Sequence, residues 1–192
     1  MVTRSVPRAA GPLAATVEVP GSKSVANRAL VCAALASGHS TISGVAPGDD
    51  TVAMLDGLRA LGSLIEDSGG DVVWVDGLDG RPGAEPCTVD ANLAGTTSRF
   101  LTAVAALASA PCTIDGRAPL RSRPMTPLHD ALQELGATVR PGEQWGHLPV
   151  TVHGPVAATA ASRPIRIRGD VSSQYLTGLM LIAPYLGGLR LE

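Results

Sequence analysis

Hydrophobic and polar positions along the chain follow one pattern that occurs twice. Residues 34–44 and 106–116 share an Ala-Leu-Ala-Ser run, then a turn, then a Thr-Ile pair before a final glycine. This order predicts the end of an Ala/Leu helix followed by a short strand. Residues 54–62 and 128–136 form a second related pair, with leucines at helical spacing and a closing glycine that ends a helix. The chain is therefore predicted to contain a duplicated supersecondary unit.

Short β-branched segments follow these glycines and predict strands. They are residues 72–75 in the first unit, and 137–139 and 150–152 in the second. A third unit is predicted to have a strand at 164–168, a helix at 174–183 and a strand at 188–192. Because an unpaired strand edge is a poor end for a domain, we expect an N-terminal portion of a longer protein. The units are joined without a long polar linker, which indicates one domain.

The composition favours a soluble globular protein. Hydrophobic residues make up 45% of the 192 positions and charged residues 17%, which is unlike a disordered chain. A net charge of −2 provides no general attraction to nucleic acid or to an anionic membrane. Residues 1–15 lack the apolar core of a signal peptide, and the apolar stretches are too short to span a bilayer. We therefore expect a cytoplasmic location.

The three cysteines do not suggest a metal site. Cys32, Cys87 and Cys112 have neither C-x-x-C spacing nor a Cys/His ligand pattern, which fits a reducing compartment. Cys32 lies in a helical run and Cys112 in a strand-like one, so both are expected to be small buried residues.

Small polar residues occupy the start of the first predicted helix in each unit. These segments are residues 21–24, 94–99 and 169–174. The single lysine of the chain, Lys23, lies in the first of them, whereas the chain has fourteen arginines. If the units pack with pseudo-symmetry, three helix starts would converge and form an anion site from N–H groups, hydroxyls and helix dipoles. The alternative is ordinary N-capping, which also favours Ser and Thr at helix starts.

A proline-bounded segment, residues 121–128, supplies further positive charge. Pro124 restricts Arg123 to an extended conformation, and this rigidity can aim a guanidinium at a phosphate or carboxylate. A solvated arginine in a loop explains this segment equally well.

In this order, the segments resemble the signatures of the 5-enolpyruvylshikimate-3-phosphate synthase family. The quoted matches are Pro20-Gly21-Ser22-Lys23-Ser24 with Asn27-Arg28, Asp49-Asp50-Thr51, Leu93-Ala94-Gly95-Thr96-Thr97-Ser98-Arg99, Arg123-Pro124-Met125 and Ser172-Ser173-Gln174. A single motif of this kind is weak, whereas five in register are a specific signal. The family often has Asn at the position of Leu93, and often has Ala and Pro where Thr97 and Phe100 stand, which fits variation between subgroups.

The resemblance implies an α/β (α+β) fold of repeated βαβαββ units, an inside-out α/β barrel, here as two units and part of a third. Residues 1–19 would be a strand segment that packs on an absent C-terminal-half domain, and residues 20–192 would bind shikimate 3-phosphate. It implies a transferase that moves the enolpyruvyl group of phosphoenolpyruvate to shikimate 3-phosphate and needs no cofactor or metal. Such an enzyme would be a monomer at full length.

The resemblance also implies a set of ligand contacts. Lys23 would be a catalytic group that touches both substrates. Lys23, Gly95, Arg123 and Gln174 would bind phosphoenolpyruvate, and Lys23, Ser24, Arg28, Ser172, Ser173 and Gln174 would bind shikimate 3-phosphate. Gly95 would also leave the full-length enzyme sensitive to glyphosate. The family's acid–base carboxylates belong to the other half, so we expect this chain alone to bind shikimate 3-phosphate weakly and to turn over negligibly.

Three other functions have partly similar sequence features. UDP-N-acetylglucosamine enolpyruvyl transferase shares the fold but carries Lys-Asn where this chain has Lys23-Ser24. A non-catalytic phosphate-binding paralogue would keep the anion site without the family's acids. A P-loop hydrolase is excluded, because Ser22 replaces the glycine before the lysine and the upstream glycine is missing.

Overall fold

A computed structural model describes residues 3–17, 19–157 and 163–192 of the chain. The helices are α1 (Lys23–Leu35), α2 (Asp49–Ala60), α3 (Gly95–Ala105), α4 (Ala118–Arg121), α5 (Thr126–Glu134) and α6 (Ser173–Ile182), and a 3-10 helix (Ala183–Leu186) continues α6. The strands are β1 (His39–Ile42), β2 (Leu64–Asp67), β3 (Val73–Asp76), β4 (Cys87–Asp90), β5 (Cys112–Asp115), β6 (Thr138–Pro141) and β7 (Val150–His153). The order helix, strand, helix, strand, strand occurs in the first unit as α1, β1, α2, β2 and β3, and again in the second as α3, β5, α5, β6 and β7, as the repeat predicts.

The second unit shows the full βαβαββ order. Its sheet has the strand order β4-β5-β7-β6. β4 and β5 are parallel, while β7 pairs antiparallel with both β5 and β6. Parallel neighbours need a crossover connection, and α3 provides it. The short helix α4 is inserted before α5 and was not predicted.

The first unit repeats this arrangement with one strand fewer. Its antiparallel sheet has the order β1-β3-β2, which matches β5-β7-β6 of the second unit. The residues that precede α1 are exposed and form no strand over 3–17 and at 19. Residues 1, 2 and 18 of the predicted strand segment 1–19 lie outside the described residues. Its packing on a further domain stays a prediction.

Glycines end the two paired helices, as predicted. Gly62 follows α2 with a φ of 101°, and Gly136 follows α5 with a φ of 96°. These left-handed conformations cost glycine little, whereas a side chain would be strained there. The chain then turns sharply into β2 and β6, which fixes each helix against its own sheet.

One continuous aliphatic core joins the units. Helix α3 lies at its centre, and nine of its eleven residues are buried. A Cβ on Gly178 of α6 would lie 3.3 Å from the Cβ of Ala103 in α3, so small residues allow these two helices to approach closely. This packing fixes the start of α3 relative to the start of α6.

The third unit is confirmed in its helix but not in its strands. α6 begins at Ser173 and the 3-10 helix extends it to Leu186. The segments predicted as strands at 164–168 and 188–192 form only an isolated parallel bridge between Ile165 and Leu191. A single bridge has too few hydrogen-bonded pairs to form a ladder.

The prediction for Cys32 was wrong, since its side chain is exposed. It follows the fully buried Val31 in α1, and consecutive helical residues point about 100° apart. Cys112 is buried, as predicted, and Cys87 is partly buried. Within the described ranges, no helix has the length and apolar character needed to cross a bilayer.

Candidate ligand-binding site

The first turns of α1 and α2 meet in an ion pair. Lys23 Nζ lies 2.5 Å from Asp50 Oδ2, and the two side chains are 55% and 28% exposed. The backbone before α1 passes so close to Gly44 that only glycine fits at position 21. A Cβ on Gly21 would lie 2.0 Å from the carbonyl oxygen of Gly44. Asp50 lies in the first turn of α2, where a carboxylate is favoured by the helix dipole, and it also holds Lys23.

Arg28 lies one turn after Ser24 on α1 and packs against α3. Its Nη1 donates a hydrogen bond of 2.7 Å to the carbonyl oxygen of Ser24. Its Cζ lies 5.3 Å from the centroid of the Phe100 ring, a cation–π distance. Phe100 is fully buried and therefore held in place by the core. Its ring orients the half-buried guanidinium of Arg28.

Side chains also link the first turns of α2, α3 and α6. Thr97 Oγ1 donates to the carbonyl oxygen of Asp50 at 3.4 Å, and Gln174 Nε2 donates to Thr96 Oγ1 at 3.0 Å. Arg99 Nη1 donates to Gln174 Oε1 at 2.7 Å. Together with the ion pair, these bonds join the starts of four helices. The predicted convergence of α1, α3 and α6 is therefore present, and α2 joins it.

Two guanidinium groups lie over Gly95. A Cβ at this position would be 2.9 Å from Nη1 of Arg123 and 2.9 Å from Nη1 of Arg99. The absence of a side chain lets both cations approach the first backbone N–H groups of α3. Helix starts of this kind, with fixed N–H groups and nearby cations, are suited to anions.

The loop that carries Arg123 is held by the core. Tyr175 is fully buried in α6, and its Oη donates a hydrogen bond of 2.5 Å to the carbonyl oxygen of Pro124. The same ring lies under Arg99, whose Cζ is 5.3 Å from its centroid. One buried aromatic side chain thus positions both guanidiniums over Gly95.

Capping accounts for only one of the three polar segments. Ser172 is the N-cap of α6, and its Oγ accepts a 3.2 Å hydrogen bond from the backbone N–H of Gln174. At the starts of α1 and α3, the N-cap residues Ser22 and Ala94 accept no side-chain cap bond among the described residues. Ser173 is exposed at the first position of α6. N-capping therefore does not explain why polar residues begin α1 and α3.

The charges of the site are unbalanced. In the part of the chain that the structure describes, Arg28, Arg99 and Arg123 form no ion pair, and Lys23 pairs with Asp50 alone. No cluster of His, Cys, Asp or Glu that could hold a metal ion occurs in the same ranges. The arrangement can neutralise a polyanion and fix its orientation, which is what charge-assisted hydrogen bonds supply.

Sequence reasoning assigned no contact to three residues of this network. Arg99 was noted only as part of its segment, and Thr96 and Tyr175 had no role. One signal was available for Arg99, because it lies four residues after Gly95 and so on the same face of α3. The contact between Tyr175 and Pro124 joins residues 51 positions apart and has no sequence signal.

Comparison with known proteins identifies the family. The sequence model of EPSP synthase (3-phosphoshikimate 1-carboxyvinyltransferase) matches residues 7–191. The chain belongs to the EPSP synthase family. A relative from Bifidobacterium longum, named 3-phosphoshikimate 1-carboxyvinyltransferase, is 42% identical over 189 residues, which cover 96% of this chain and 42% of the relative. A relative of the same name from Thiobacillus denitrificans is 42% identical over 88% of this chain and 39% of its own length.

Solved structures agree with the family assignment. EPSP synthase from Acinetobacter baumannii superposes with a TM-score of 0.78 at 26% identity, covering 87% of this chain and 37% of that one. The enolpyruvyl transferase NikO from Streptomyces tendae, with a TM-score of 0.54 and 20% identity, covers 83% of this chain and 35% of its own, and shares the fold alone. The predicted fold class is confirmed. The chain spans about two-fifths of the length of the curated relatives it matches.

Proposed function

We propose that this chain is the shikimate-3-phosphate-binding part of a 3-phosphoshikimate 1-carboxyvinyltransferase. The complete enzyme would transfer the enolpyruvyl group of phosphoenolpyruvate to the 5-hydroxyl of shikimate 3-phosphate and release phosphate. One observation carries the proposal: four helix starts converge around cations in a chain of the EPSP synthase family. The curated relatives bear the name of this reaction.

The two ligands divide the site between them. Ser24, Arg28, Ser172 and Ser173 hold shikimate 3-phosphate, and Gly95 and Arg123 hold phosphoenolpyruvate. Lys23 and Gln174 touch both. Support comes from Arg123 lying over the open backbone at Gly95, and from Gln174 lying between Thr96 and Arg99.

The chemistry requires two polyanions to be held together against their mutual repulsion. The 5-hydroxyl attacks C2 of the enolpyruvyl group while its methylene carbon is protonated, and phosphate then leaves a tetrahedral intermediate. Lys23 and the guanidiniums lower the cost of bringing the anions together and stabilise charge on the departing phosphate. The proton donor and acceptor would come from a C-terminal half of the same protein.

The chain therefore binds the ligands, and the C-terminal half supplies the acid–base groups. Residues 20–192 form the ligand-binding domain, and residues 1–19 pack on the C-terminal-half domain. The complete enzyme is a cytoplasmic monomer that needs no cofactor and binds neither nucleic acid nor membrane. The chain alone binds shikimate 3-phosphate weakly and gives negligible turnover.

Calorimetric titration of the purified chain tests the proposal. Shikimate 3-phosphate should bind, whereas shikimate, which lacks the phosphate, should bind at least tenfold more weakly, because a charge-assisted bond contributes roughly 1.5–3 kcal/mol. Arg28→Ala should weaken binding of shikimate 3-phosphate. Arg140 is an exposed residue of β6, so Arg140→Ala is a matched control that should leave this binding unchanged.

Different outcomes would favour different functions. Equal binding of shikimate and shikimate 3-phosphate would contradict the proposed site. Binding of UDP-N-acetylglucosamine in place of shikimate 3-phosphate would favour the related enolpyruvyl transferase. Robust turnover by the chain alone would contradict the assignment of the acid–base groups to the other half.

A further inference from the structure

We propose that Cys87 and Cys112 form an oxidation site, in which a peroxide converts the two thiols into an intramolecular disulfide. The Sγ atoms lie 3.0 Å apart in a thiol–thiol hydrogen bond. All three cysteines of the chain are described and reduced, so the pair is present as free thiols. This site is separate from the cations that the proposed function uses.

The strand register brings the two thiols together. Cys87 begins β4 and Cys112 begins β5, and the two residues are direct partners in the parallel pairing. The backbone N–H of Cys87 donates to the carbonyl oxygen of Pro111 at 3.1 Å, which fixes the ends of the strands. Paired positions on parallel strands lie about 4.8 Å apart, within the Cα–Cα range of about 4.4–6.8 Å that a disulfide spans. Bond formation therefore needs movement of side chains rather than of strands.

The two thiols have different environments that suit successive steps. Cys87 is partly exposed, and its hydrogen bond with Cys112 lowers the pKa of its thiol. Cys112 is fully buried, and its hydrogen bond to Cys87 together with its burial raises the pKa of its thiol. Cys87 is thus the accessible nucleophile, and Cys112 is the resolving thiol held beside it.

The reaction balances with hydrogen peroxide as oxidant. The Cys87 thiolate attacks one peroxide oxygen, the O–O bond breaks, and a sulfenic acid and hydroxide form. The Cys112 sulfur then attacks the Cys87 sulfur, the S–O bond breaks, and its hydroxyl leaves as water with the proton from Cys112. The hydroxide takes the proton that Cys87 had released. Two thiols and one peroxide give one disulfide and two waters, and a dithiol reductant reverses the change.

Cys32 provides an internal control. It is exposed, and neither of the other sulfurs is within hydrogen-bond reach. Access to solvent alone would therefore favour oxidation of Cys32, whereas proximity favours the pair on β4 and β5.

Mass spectrometry of the peroxide-treated chain, quenched with iodoacetamide, tests the proposal. Iodoacetamide should alkylate Cys32 alone. Before alkylation, the treated chain should be lighter than the reduced chain by the mass of two hydrogens. Trypsin cuts after Arg99, which lies between the two cysteines, so the disulfide should join two separate peptides. Dithiothreitol should then release the two peptides from each other. Cys87→Ser should abolish the cross-link at a partly exposed position that tolerates the change, and Cys32→Ser should retain it.

Thermal unfolding gives a second measurement. The disulfide closes a loop that contains α3, so the oxidised chain should melt several degrees higher than the reduced chain. Sulfinic acid at Cys87 without a cross-link, or disulfide-linked dimers through Cys32, would overturn the proposal. So would a cross-link yield in Cys87→Ser equal to that of the unaltered chain.

Discussion

His129 should make the stability of this domain depend on pH in the mildly acidic range. It lies on α5 with its side chain fully buried, and neither ring nitrogen has a hydrogen-bond partner in the described part of the chain. Its ring packs edge-on against Trp145, with centroids 5.6 Å apart. Burial, and to a lesser extent the charge of His147, lower the pKa of His129 from 6.5 to about 4.

The sign and size of the effect follow from this difference. The unfolded chain takes up the proton near pH 6.5, whereas the folded chain resists it until about pH 4. The neutral ring therefore contributes its full stability above pH 6.5, and the contribution is lost as pH falls toward 4. Since one pKa unit corresponds to about 1.4 kcal/mol, the loss is on the order of 3 kcal/mol.

Urea unfolding, followed by circular dichroism at a series of pH values, measures the contribution of His129 to the free energy of unfolding. His129→Leu keeps an apolar side chain of similar size and removes the titration, while carboxylates titrate alike in both proteins. The free energy of unfolding of the unaltered chain should fall by about 3 kcal/mol relative to the variant between pH 7 and pH 4. Parallel curves for the two proteins would refute the reasoning.

Two further substitutions test the ligand site, and a third tests the contact that holds the loop of Arg123. Gly95→Ala should leave the melting temperature nearly unchanged but weaken binding of phosphoenolpyruvate in calorimetry, because the new Cβ displaces two flexible guanidinium ends; unchanged affinity for phosphoenolpyruvate would contradict this. Arg99→Lys should weaken binding of shikimate 3-phosphate by about tenfold through loss of the planar bond to Gln174, whereas Arg140→Lys should not; equal effects would argue against a specific role. Tyr175→Phe should lower the free energy of unfolding by about 1 kcal/mol in urea titration, because it removes the hydrogen bond from the Tyr175 hydroxyl to the carbonyl oxygen of Pro124; no loss would mean that the loop is held by other contacts.

Sequence reasoning was reliable where a local signal decides the structure. The closing glycines Gly62 and Gly136 predicted two helix ends, and both adopt positive φ. Repetition of the polar segments predicted that helix starts would converge. Family motifs then gave the fold class, which agrees with the solved relatives.

Other features depend on tertiary context and lack a local signal. β2 ends in two consecutive acidic residues, which resemble a turn as much as a strand. Exposure of Cys32 depends on how α1 rotates against the sheet, which an Ala-rich helix does not specify clearly. The bonds of Arg99 to Gln174, and of Asp50 to Lys23, join residues distant in sequence, so only packing reveals them.

The side-chain-free position at the start of α3 has a consequence for the stability of the folded chain. Two Nη1 atoms each lie 2.9 Å from the same point, so they are no further apart than twice that distance. Like charges at such a separation repel, and an inorganic oxyanion placed between them relieves the repulsion. Since a solute that binds only the folded state raises its stability, this domain will melt at a higher temperature in sulfate or phosphate than in chloride of equal ionic strength. Sulfate and phosphate buffers should therefore act as ligands of the start of α3.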